Sequence, residues 1–134
     1  MITPYINFSG RSGEAIAFYE KALNGQDKRI MYYKDAPPNP DFPVPEAMQD
    51  YVLHAEMTIC GTKVSFSDTQ QGVVAGDMIS LALSYPTVNE VTEAFNRLKD
   101  GGEVLMELSP QFYSRMYGWV KDKFGIGWQI ICLE

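Results

Sequence analysis

Apolar and polar residues alternate at the start of the chain and then change to a helical spacing. The alternation of residues 2–8 has the two-residue period of a strand, with Ile6 and Phe8 on one face and Tyr5 and Asn7 on the other. Ser12 is placed to cap a helix that ends at Asn24-Gly25, with Gly25 as the left-handed residue. Three further strands are predicted at 28–33, 51–59 and 64–68.

The second half of the chain starts the same order again. A strand is predicted at 77–85, followed by a helix in which Thr87 and Glu90 have the spacing of a capping box. Apolar residues recur at intervals of three and four until Gly101-Gly102 ends this helix. Strands at 103–107, 115–121 and 128–133 complete a second βαβββ series.

The two halves form a weak internal repeat. A shift of 77 residues lays Ala17-Phe18 over Ala94-Phe95 and Gly25 over Gly102. We therefore predict one α+β domain over 1–134, made of two βαβββ modules at about 1–70 and about 77–134. The modules are expected to form curved half-sheets around a concave pocket, with the helices on the convex face.

One proline-rich segment, residues 34–50, interrupts this regularity. It carries five of the eight prolines, which excludes a long helix or a central strand. Long connections of this kind are usually functional. Two roles are open, a flap over the pocket or an arm against a partner subunit.

The charge balance excludes several partners. Seventeen acidic and eleven basic residues give a net charge of -6, which disfavours nucleic acid. No segment reaches the roughly 20 apolar residues of a membrane span, and the first residues lack a basic signal-peptide region, so no membrane partner and a cytoplasmic location are expected. Cys60 and Cys132 lie in apolar runs and are interpreted as buried reduced thiols.

Five motifs spread over nearly the whole chain are, in chain order, Pro4-Tyr5-Ile6-Asn7-Phe8, Glu14-Ala15-Ile16-Ala17-Phe18-Tyr19, His54-Ala55-Glu56-Met57, Gly101-Gly102 and Asp122-Lys123-Phe124-Gly125-Ile126-Gly127-Trp128. Together they resemble the PhnB-like branch of the vicinal oxygen chelate superfamily, which includes glyoxalases, bleomycin-resistance proteins and dioxygenases. The resemblance implies the two-module fold and a concave pocket. Members use that pocket for metal-dependent isomerisation, ring-cleaving oxidation, epoxide opening and metal-free drug sequestration, so function must come from the site.

Candidate ligand-binding residues follow from the strand alternation, because the polar side chains should face the pocket. They are Tyr5, Asn7, Ser65, Ser67, Ser80 and Gln129. Asp68 is either a turn cap or a charge at the pocket rim. Phe112 is a candidate for lining the cavity, and Arg115 either holds an anionic ligand or forms an exposed salt bridge.

The metal ligands that the resemblance would imply are missing. Metal-using relatives place His, Gln or Glu near the first and fifth strands and on the fourth and eighth; the matching positions here are Pro4, residues 78–82 and Gln129. One neutral oxygen does not hold a divalent ion. We therefore predict no metal at the usual place and no cofactor, with a relocated divalent metal site as the minor alternative.

The remaining chemistry lies at His54, the only histidine, and Glu56. Two residues apart on a strand, they share a face, and imidazole changes its charge near neutral pH. The catalytic interpretation is an acid/base couple. A structural hydrogen-bonded pair and two ligands of a metal are the other interpretations.

The sequence therefore indicates a glyoxalase-like, PhnB-like protein that binds a small molecule, with acid/base chemistry by His54 and Glu56 and without the superfamily metal. The alternatives are a non-catalytic, drug-type sequestration protein, or a regulatory module acting as a homodimer. The absence of an Arg and Lys cluster argues against a phosphonate ligand. The sequence does not decide between catalysis and binding, nor does it identify the ligand or pathway.

Overall fold

The computed structural model describes residues 1–133, which form eight strands and two α-helices. In chain order these are β1 (Tyr5–Phe8), α1 (Ser12–Ala22), β2 (Gln26–Tyr32), β3 (Val52–Ile59), β4 (Thr62–Asp68), β5 (Ser80–Tyr85), α2 (Val88–Leu98), β6 (Glu103–Gln111), β7 (Ser114–Lys121) and β8 (Gly127–Cys132). The chain divides into two compact units, module one at Met1–Val73 and module two from Val74 onward. No helix within residues 1–133 combines the length and the apolar character needed to cross a membrane.

Both modules contain the same four-stranded sheet. In module one the strand order is β1-β4-β3-β2, and in module two it is β5-β8-β7-β6. β1 pairs in parallel with β4, and β5 pairs in parallel with β8; all other neighbouring strands are antiparallel. The predicted α+β fold with two βαβββ modules is confirmed.

Each helix covers one face of its own sheet. α1 contacts β3 and β4, and α2 contacts β5, β7 and β8. In module one the rings of Tyr19 and Phe66 stack at 6.1 Å, and both side chains are fully buried. In module two Phe95 and Leu98 of α2 are buried in the same way. Burying such large side chains supplies most of the free energy that holds helix to sheet.

The two helices begin in different ways. In α2 the Thr87 side chain accepts a hydrogen bond from the backbone of Glu90 at 3.2 Å, as the capping box predicts. α1 begins after Arg11, and no side chain of its own caps it. The expectation that Ser12 caps this helix is wrong, because Ser12 is already its first helical residue and is buried.

Some element ends differ from the predicted ones. β1 and β5 begin about three residues late, and Ile2 and Ile79 are exposed. β6 continues past its predicted end to Gln111 and includes Pro110. A proline is tolerated there because β6 lies at the edge of its sheet and need not donate outward.

Two turn residues also correct the sequence interpretation. The left-handed residue after α1 is Asn24, with φ of 53°, rather than Gly25. Gly25 is needed for space, since a Cβ there would collide with the side chain of Met57. Cys60 has φ of 49° in the turn between β3 and β4 and is exposed, whereas Cys132 is buried as expected.

The proline-rich segment 34–50 folds against its own module. Its two ends are joined by backbone hydrogen bonds from Tyr33 to Tyr51 and from Lys34 to Gln49, both 3.0 Å. The Lys34 ammonium pairs with Asp50 at 3.0 Å. The loop is therefore closed at its base.

Candidate functional site

The candidate site is the face of the module one sheet that α1 does not cover, called here the polar face. Tyr5 of β1 is in register with Ser65 of β4, which is in register with Glu56 of β3. Register partners point to the same side of a sheet, and residues two apart share that side. Phe66 and Ala55 point to the other side and are buried under α1.

Four side chains of the polar face are linked. The Tyr5 hydroxyl and His54 Nδ1 are 3.1 Å apart and hydrogen-bonded, and their rings lie 5.7 Å apart. His54 Nε2 lies 3.8 Å from Glu56 Oε2, and Lys63 Nζ lies 3.3 Å from the same oxygen. The side chains remain open, with His54 44% and Glu56 27% exposed. The structure thus brings together the predicted pair and adds Tyr5 and Lys63 to it.

The Tyr5 to His54 hydrogen bond can form with either tautomer of the imidazole. If the proton is on Nε2, the Tyr5 hydroxyl donates to Nδ1 and the Nε2 proton points toward Glu56. If the proton is on Nδ1, His54 donates to the Tyr5 oxygen, and Nε2 has a free lone pair. In the second arrangement the phenol proton is also free to donate to a ligand.

Sequence reasoning missed Lys63, although a signal for it was present. Lys63 lies two residues before Ser65 on β4 and is therefore in the same phase of the strand. Its contact with Glu56 follows only from the antiparallel pairing of β3 with β4, which sets the two side chains near each other. The sequence shows on which side of β4 Lys63 lies, but it does not show which residue of a neighbouring strand Lys63 contacts.

The other candidates on β1 and β4 support the polar face more than they line it. Ser65 and Ser67 are buried, and the Ser67 hydroxyl donates to Asn7 Oδ1 at 3.0 Å. Asn7 itself is exposed. This hydrogen bond fixes the orientation of the Asn7 amide on the surface of the sheet.

Asp68 does not belong to the polar face. Its carboxylate is 1% exposed and accepts backbone hydrogen bonds from Gly10 at 2.9 Å and Ser12 at 3.0 Å through Oδ1, and from Val52 at 2.9 Å through Oδ2. Neither predicted role is found: the carboxylate is buried rather than at a pocket rim, and these three partners are not residues of the turn that follows β4. Asp68 supplies the N-terminal cap that α1 lacks locally, and a negative charge is favoured at that end of a helix.

Tyr33 is fixed to the same strand end. Its hydroxyl donates to the backbone oxygen of Asp68 at 2.7 Å. Burial raises the pKa of Tyr33 above 10.0, with smaller contributions from the Asp68 charge and from Tyr5. A tyrosine whose pKa responds to both groups lies close to the Tyr5 end of the polar face.

The module two candidates make contacts of their own. Gln129 Oε1 accepts from the Tyr117 hydroxyl at 2.9 Å, and burial, followed by Tyr113, raises the pKa of Tyr117. Arg115 is exposed and donates through one guanidinium nitrogen to the backbone oxygens of Pro86 and Leu133 at 3.1 and 3.3 Å. It forms no salt bridge within residues 1–133, and its role toward an anionic ligand stays a prediction.

Two further candidates in module two differ in exposure. Phe112 is fully exposed in the turn between β6 and β7, with its ring 5.0 Å from that of Tyr113. Ser80 is half-buried at the start of β5, in register with Gly127. Full exposure makes Phe112 a surface residue of its module rather than part of an enclosed cavity wall.

The residues present do not fit the divalent metal that the superfamily implies. Residues 1–133 contain no group of three or more His, Cys, Asp and Glu side chains arranged to hold a metal. On the polar face Glu56 is already paired with the ammonium of Lys63, and in module two the Gln129 oxygen already accepts from Tyr117. A catalytic metal usually needs three protein ligands, and these donors do not reach that number.

Module one also contains a groove between the proline-rich loop and the start of β3. Its volume is about 840 Å³. The walls are mostly apolar, and they are formed by Tyr33, Lys34, Ala36, Pro37, Pro38, Asn39, Pro40, Phe42, Pro43, Val44, Gln49, Leu53 and Gln70. The groove itself was not predicted from the sequence, although the proline-rich loop was expected to be functional.

Comparison with known proteins assigns the family. The profile of the family described as 3-demethylubiquinone-9 3-methyltransferase matches residues 1–131. Protein YjdN of Escherichia coli (strain K12) is 27% identical over 136 residues, covering 96% of this chain and 92% of YjdN. Protein PA1353 from Pseudomonas aeruginosa has a TM-score of 0.82 at 29% identity, covering 98% of this chain and 96% of its own. A PhnB protein from Bacillus cereus has a TM-score of 0.77 at 25% identity, covering 98% of both chains.

These matches and the two-module fold identify a protein of the vicinal oxygen chelate superfamily. Within it, the chain belongs to the family described by that profile, which is the PhnB-like branch. One fold hosts many reactions, so the methyl transfer named in the family's description is not assigned to this chain by the match. The chemistry has to be argued from the polar face.

Proposed function

We propose that the protein binds a small, oxygen-bearing molecule on the polar face and transfers a proton to and from it through His54. The observation that carries the proposal is the geometry of the imidazole. Nδ1 is held by the Tyr5 hydroxyl at 3.1 Å, while Nε2 lies 3.8 Å from Glu56. The second distance is longer than a hydrogen bond, so a ligand atom can approach Nε2.

This geometry favours an acid/base role over a structural one. Structural polar pairs in protein interiors are usually buried and hydrogen-bonded. His54 is nearly half exposed, and its separation from Glu56 is that of an ion pair. A ligand atom that approaches Nε2 therefore does not have to displace a hydrogen bond to Glu56.

The proposed proton transfer uses Tyr5 and His54 together. With its own proton on Nδ1, His54 accepts a proton at Nε2 from the carbon next to a ligand carbonyl. The electron pair of the broken C–H bond moves into the carbonyl, and the resulting enolate oxygen accepts a hydrogen bond from the Lys63 ammonium, which lies on the Nε2 side of the ring, 3.3 Å from Glu56 Oε2, while Tyr5 holds Nδ1. Return of the proton from Nε2 to carbon completes the cycle.

Lys63 and Asn7 support this arrangement. The ammonium of Lys63 lies 3.3 Å from Glu56 Oε2 and draws that oxygen to one side. The Asn7 amide, oriented by Ser67, adds an exposed polar group on the same face. Both contacts provide specificity for a polar ligand head.

Exchange of carbon-bound hydrogen for deuterium tests the proposal for any substrate of this class. The protein is incubated in D₂O with a panel of small ketones, ketoacids and hydroxyketones, and loss of the proton signal is followed by NMR. At least one compound is expected to exchange. His54→Gln should slow that exchange by about a hundredfold or more, the usual contribution of a general base.

A matched pair of tyrosine variants separates the roles. Tyr5→Phe removes the hydroxyl that contacts His54, whereas Tyr113→Phe makes the same change on an exposed ring of module two. Exchange should fall with the first variant and remain with the second. Binding without exchange would replace the enzyme by a sequestration protein, and an unchanged rate in His54→Gln would refute the role of His54.

We also propose that the protein works as a homodimer. Module two exposes Leu105, Met106 and Phe112, and exposed apolar side chains of this kind often mark association surfaces. Light scattering should give twice the mass of the chain. A monomer at micromolar concentration would refute this proposal.

A further inference from the structure

Near its start, β3 contains one residue more than the stretch of β2 with which it pairs. Met31 of β2 pairs with His54, and the next residue, Tyr32, pairs with Val52. Leu53 is the extra residue of a β-bulge. Because it is skipped by the pairing, Val52 and Ala55 both point to α1 and are buried, while His54 points to the polar face.

The skipped side chain forms part of the groove. Leu53 is half-buried and lines the groove beside the proline-rich loop. Bulges next to active sites commonly redirect a side chain in this way. The peptide that joins Leu53 to His54 therefore connects an apolar cavity wall directly to the proposed base.

The backbone around the groove is restricted in conformation. Four prolines line it, and each has a fixed φ. The loop is closed at its base by the Tyr33 to Tyr51 and Lys34 to Gln49 hydrogen bonds. A preformed wall of this kind loses little conformational entropy when a ligand enters, and about 840 Å³ lies within the usual size of small-molecule sites.

The groove's polar groups limit the ligand's charge. Among the lining residues within 1–133, Lys34 is the only one with a formal charge, and no carboxylate is present. The Lys34 ammonium is already paired with Asp50 at 3.0 Å, so a charged arm of either sign would lose water in the groove without gaining a new counter-ion. An uncharged arm is favoured, and any charge of the ligand lies on its head.

A second contact relates the groove to the polar face. Tyr33 lines the groove and donates its hydroxyl to the backbone of Asp68, at the end of β4. β1 runs beside β4 and carries Tyr5, the partner of His54. The groove thus borders the polar face through both Leu53 and Tyr33.

We propose that the groove holds the apolar arm of the ligand whose oxygen meets His54. The ligand is then a neutral or anionic compound with a ring-sized hydrocarbon arm and a carbonyl or carboxylate head. This inference rests on the proposed function of the polar face, and it adds the ligand class. Leu53 and the proline-rich loop select the arm, and Tyr5 and His54 engage the head.

The test compares two carboxylate probes, 4-phenylbutyrate and butyrate, which differ by the aromatic ring. Binding is measured by isothermal titration calorimetry, and contact of the head with the polar face is followed separately by NMR from the ring signal of His54, the one histidine of the chain. We expect 4-phenylbutyrate to bind at least about tenfold more tightly than butyrate, since ring burial contributes at least about 1.4 kcal/mol.

A groove-filling variant and its control test whether the phenyl ring of 4-phenylbutyrate binds in the groove. Ala36→Trp places an indole in the groove, whereas Ala17→Trp makes the same change on the exposed side of α1. The tenfold advantage should disappear in the first variant and persist in the second. Persistence in Ala36→Trp, or equal affinity for both probes, would overturn the groove proposal.

The outcomes also separate the two proposals. If butyrate still moves the His54 signal while the ring adds nothing, the polar face binds a ligand and the groove does not. If 4-phenylbutyrate binds in a way that Ala36→Trp abolishes but the His54 signal stays fixed, the groove binds alone, and both the shared ligand and this role of His54 are refuted. If neither probe binds, the proposed ligand class is wrong, and deuterium exchange by other compounds still tests the polar face.

Discussion

Replacing Asp68 should be the most destabilising single change in module one that leaves the apolar core intact. The carboxylate accepts three backbone hydrogen bonds, from Gly10, Ser12 and Val52, at 2.9 to 3.0 Å. Asp68→Ala leaves these three amides without their acceptor in a site that is 1% exposed. A hydrogen bond to a charged group contributes about 1.5 kcal/mol or more, so we expect a loss of about 4 kcal/mol in the free energy of unfolding.

A conservative variant and a control variant test whether the lost hydrogen bonds to the Asp68 carboxylate cause this loss of stability. Asp68→Asn keeps one oxygen, but its amide nitrogen must face a backbone donor, so a loss of about 2 kcal/mol is expected. Asp50→Ala removes an aspartate of the same module that is 85% exposed and pairs with a lysine side chain. Such a surface pair is worth less than about 1 kcal/mol.

Urea denaturation followed by far-ultraviolet circular dichroism measures these differences. Tryptophan fluorescence adds a second probe, because Trp119 and Trp128 both lie in module two. An Asp68→Ala variant no less stable than Asp50→Ala would refute the argument that the carboxylate holds the start of α1. The capping role assigned to Asp68 would then be wrong.

Three further predictions concern titration, close packing and capping. Tyr33 and Tyr117 should each ionise above the ordinary tyrosine pKa of 10.0 in an absorbance titration, because burial favours their neutral form. Their contribution to stability is present below pH 10.0 and is lost as the pH rises through their raised pKa values. Tyr33→Phe should remove one of the late transitions, and two unchanged late transitions would contradict the assignment. Gly102→Ala should destabilise the protein by more than about 2 kcal/mol, because the added Cβ meets backbone atoms, whereas Gly13→Ala, with nothing within 4 Å, should be neutral or stabilising in thermal melts. Thr87→Ala should lower the free energy of unfolding by about 1 kcal/mol in urea, and no loss would show that the cap of α2 is dispensable.

The sequence predicted those parts of the fold that depend on neighbouring residues. The capping box of α2 joins residues three apart, and the strand alternation has a period of two, so both can be recognised locally. The cap of α1 comes from Asp68, 56 residues after Ser12. No local pattern indicates such a partner, which explains why Ser12 was expected to cap the helix itself.

The contacts of the candidate site also fall into those that neighbouring residues predict and those that depend on residues far apart in the chain. His54 and Glu56 share a face because they lie two apart on one strand, which the sequence alone predicts. Their contacts with Tyr5 and Lys63 depend on the order β1-β4-β3, which no pattern along the chain reveals. The groove depends on the bulge at Leu53, and a single unpaired residue leaves no periodic signal.

The extra residue at Leu53 also affects how this protein can change over evolutionary time. Removing the codon for Leu53 would restore continuous pairing between β2 and β3 over Arg29 to Tyr32, since Val52 and His54 are already partners of adjacent residues. Both faces of the sheet would keep their present side chains, and only the groove would lose a wall. An insertion or deletion of one codon at this point is therefore a short route by which descendants of a common ancestor can gain or lose the groove wall while the polar face is inherited unaltered.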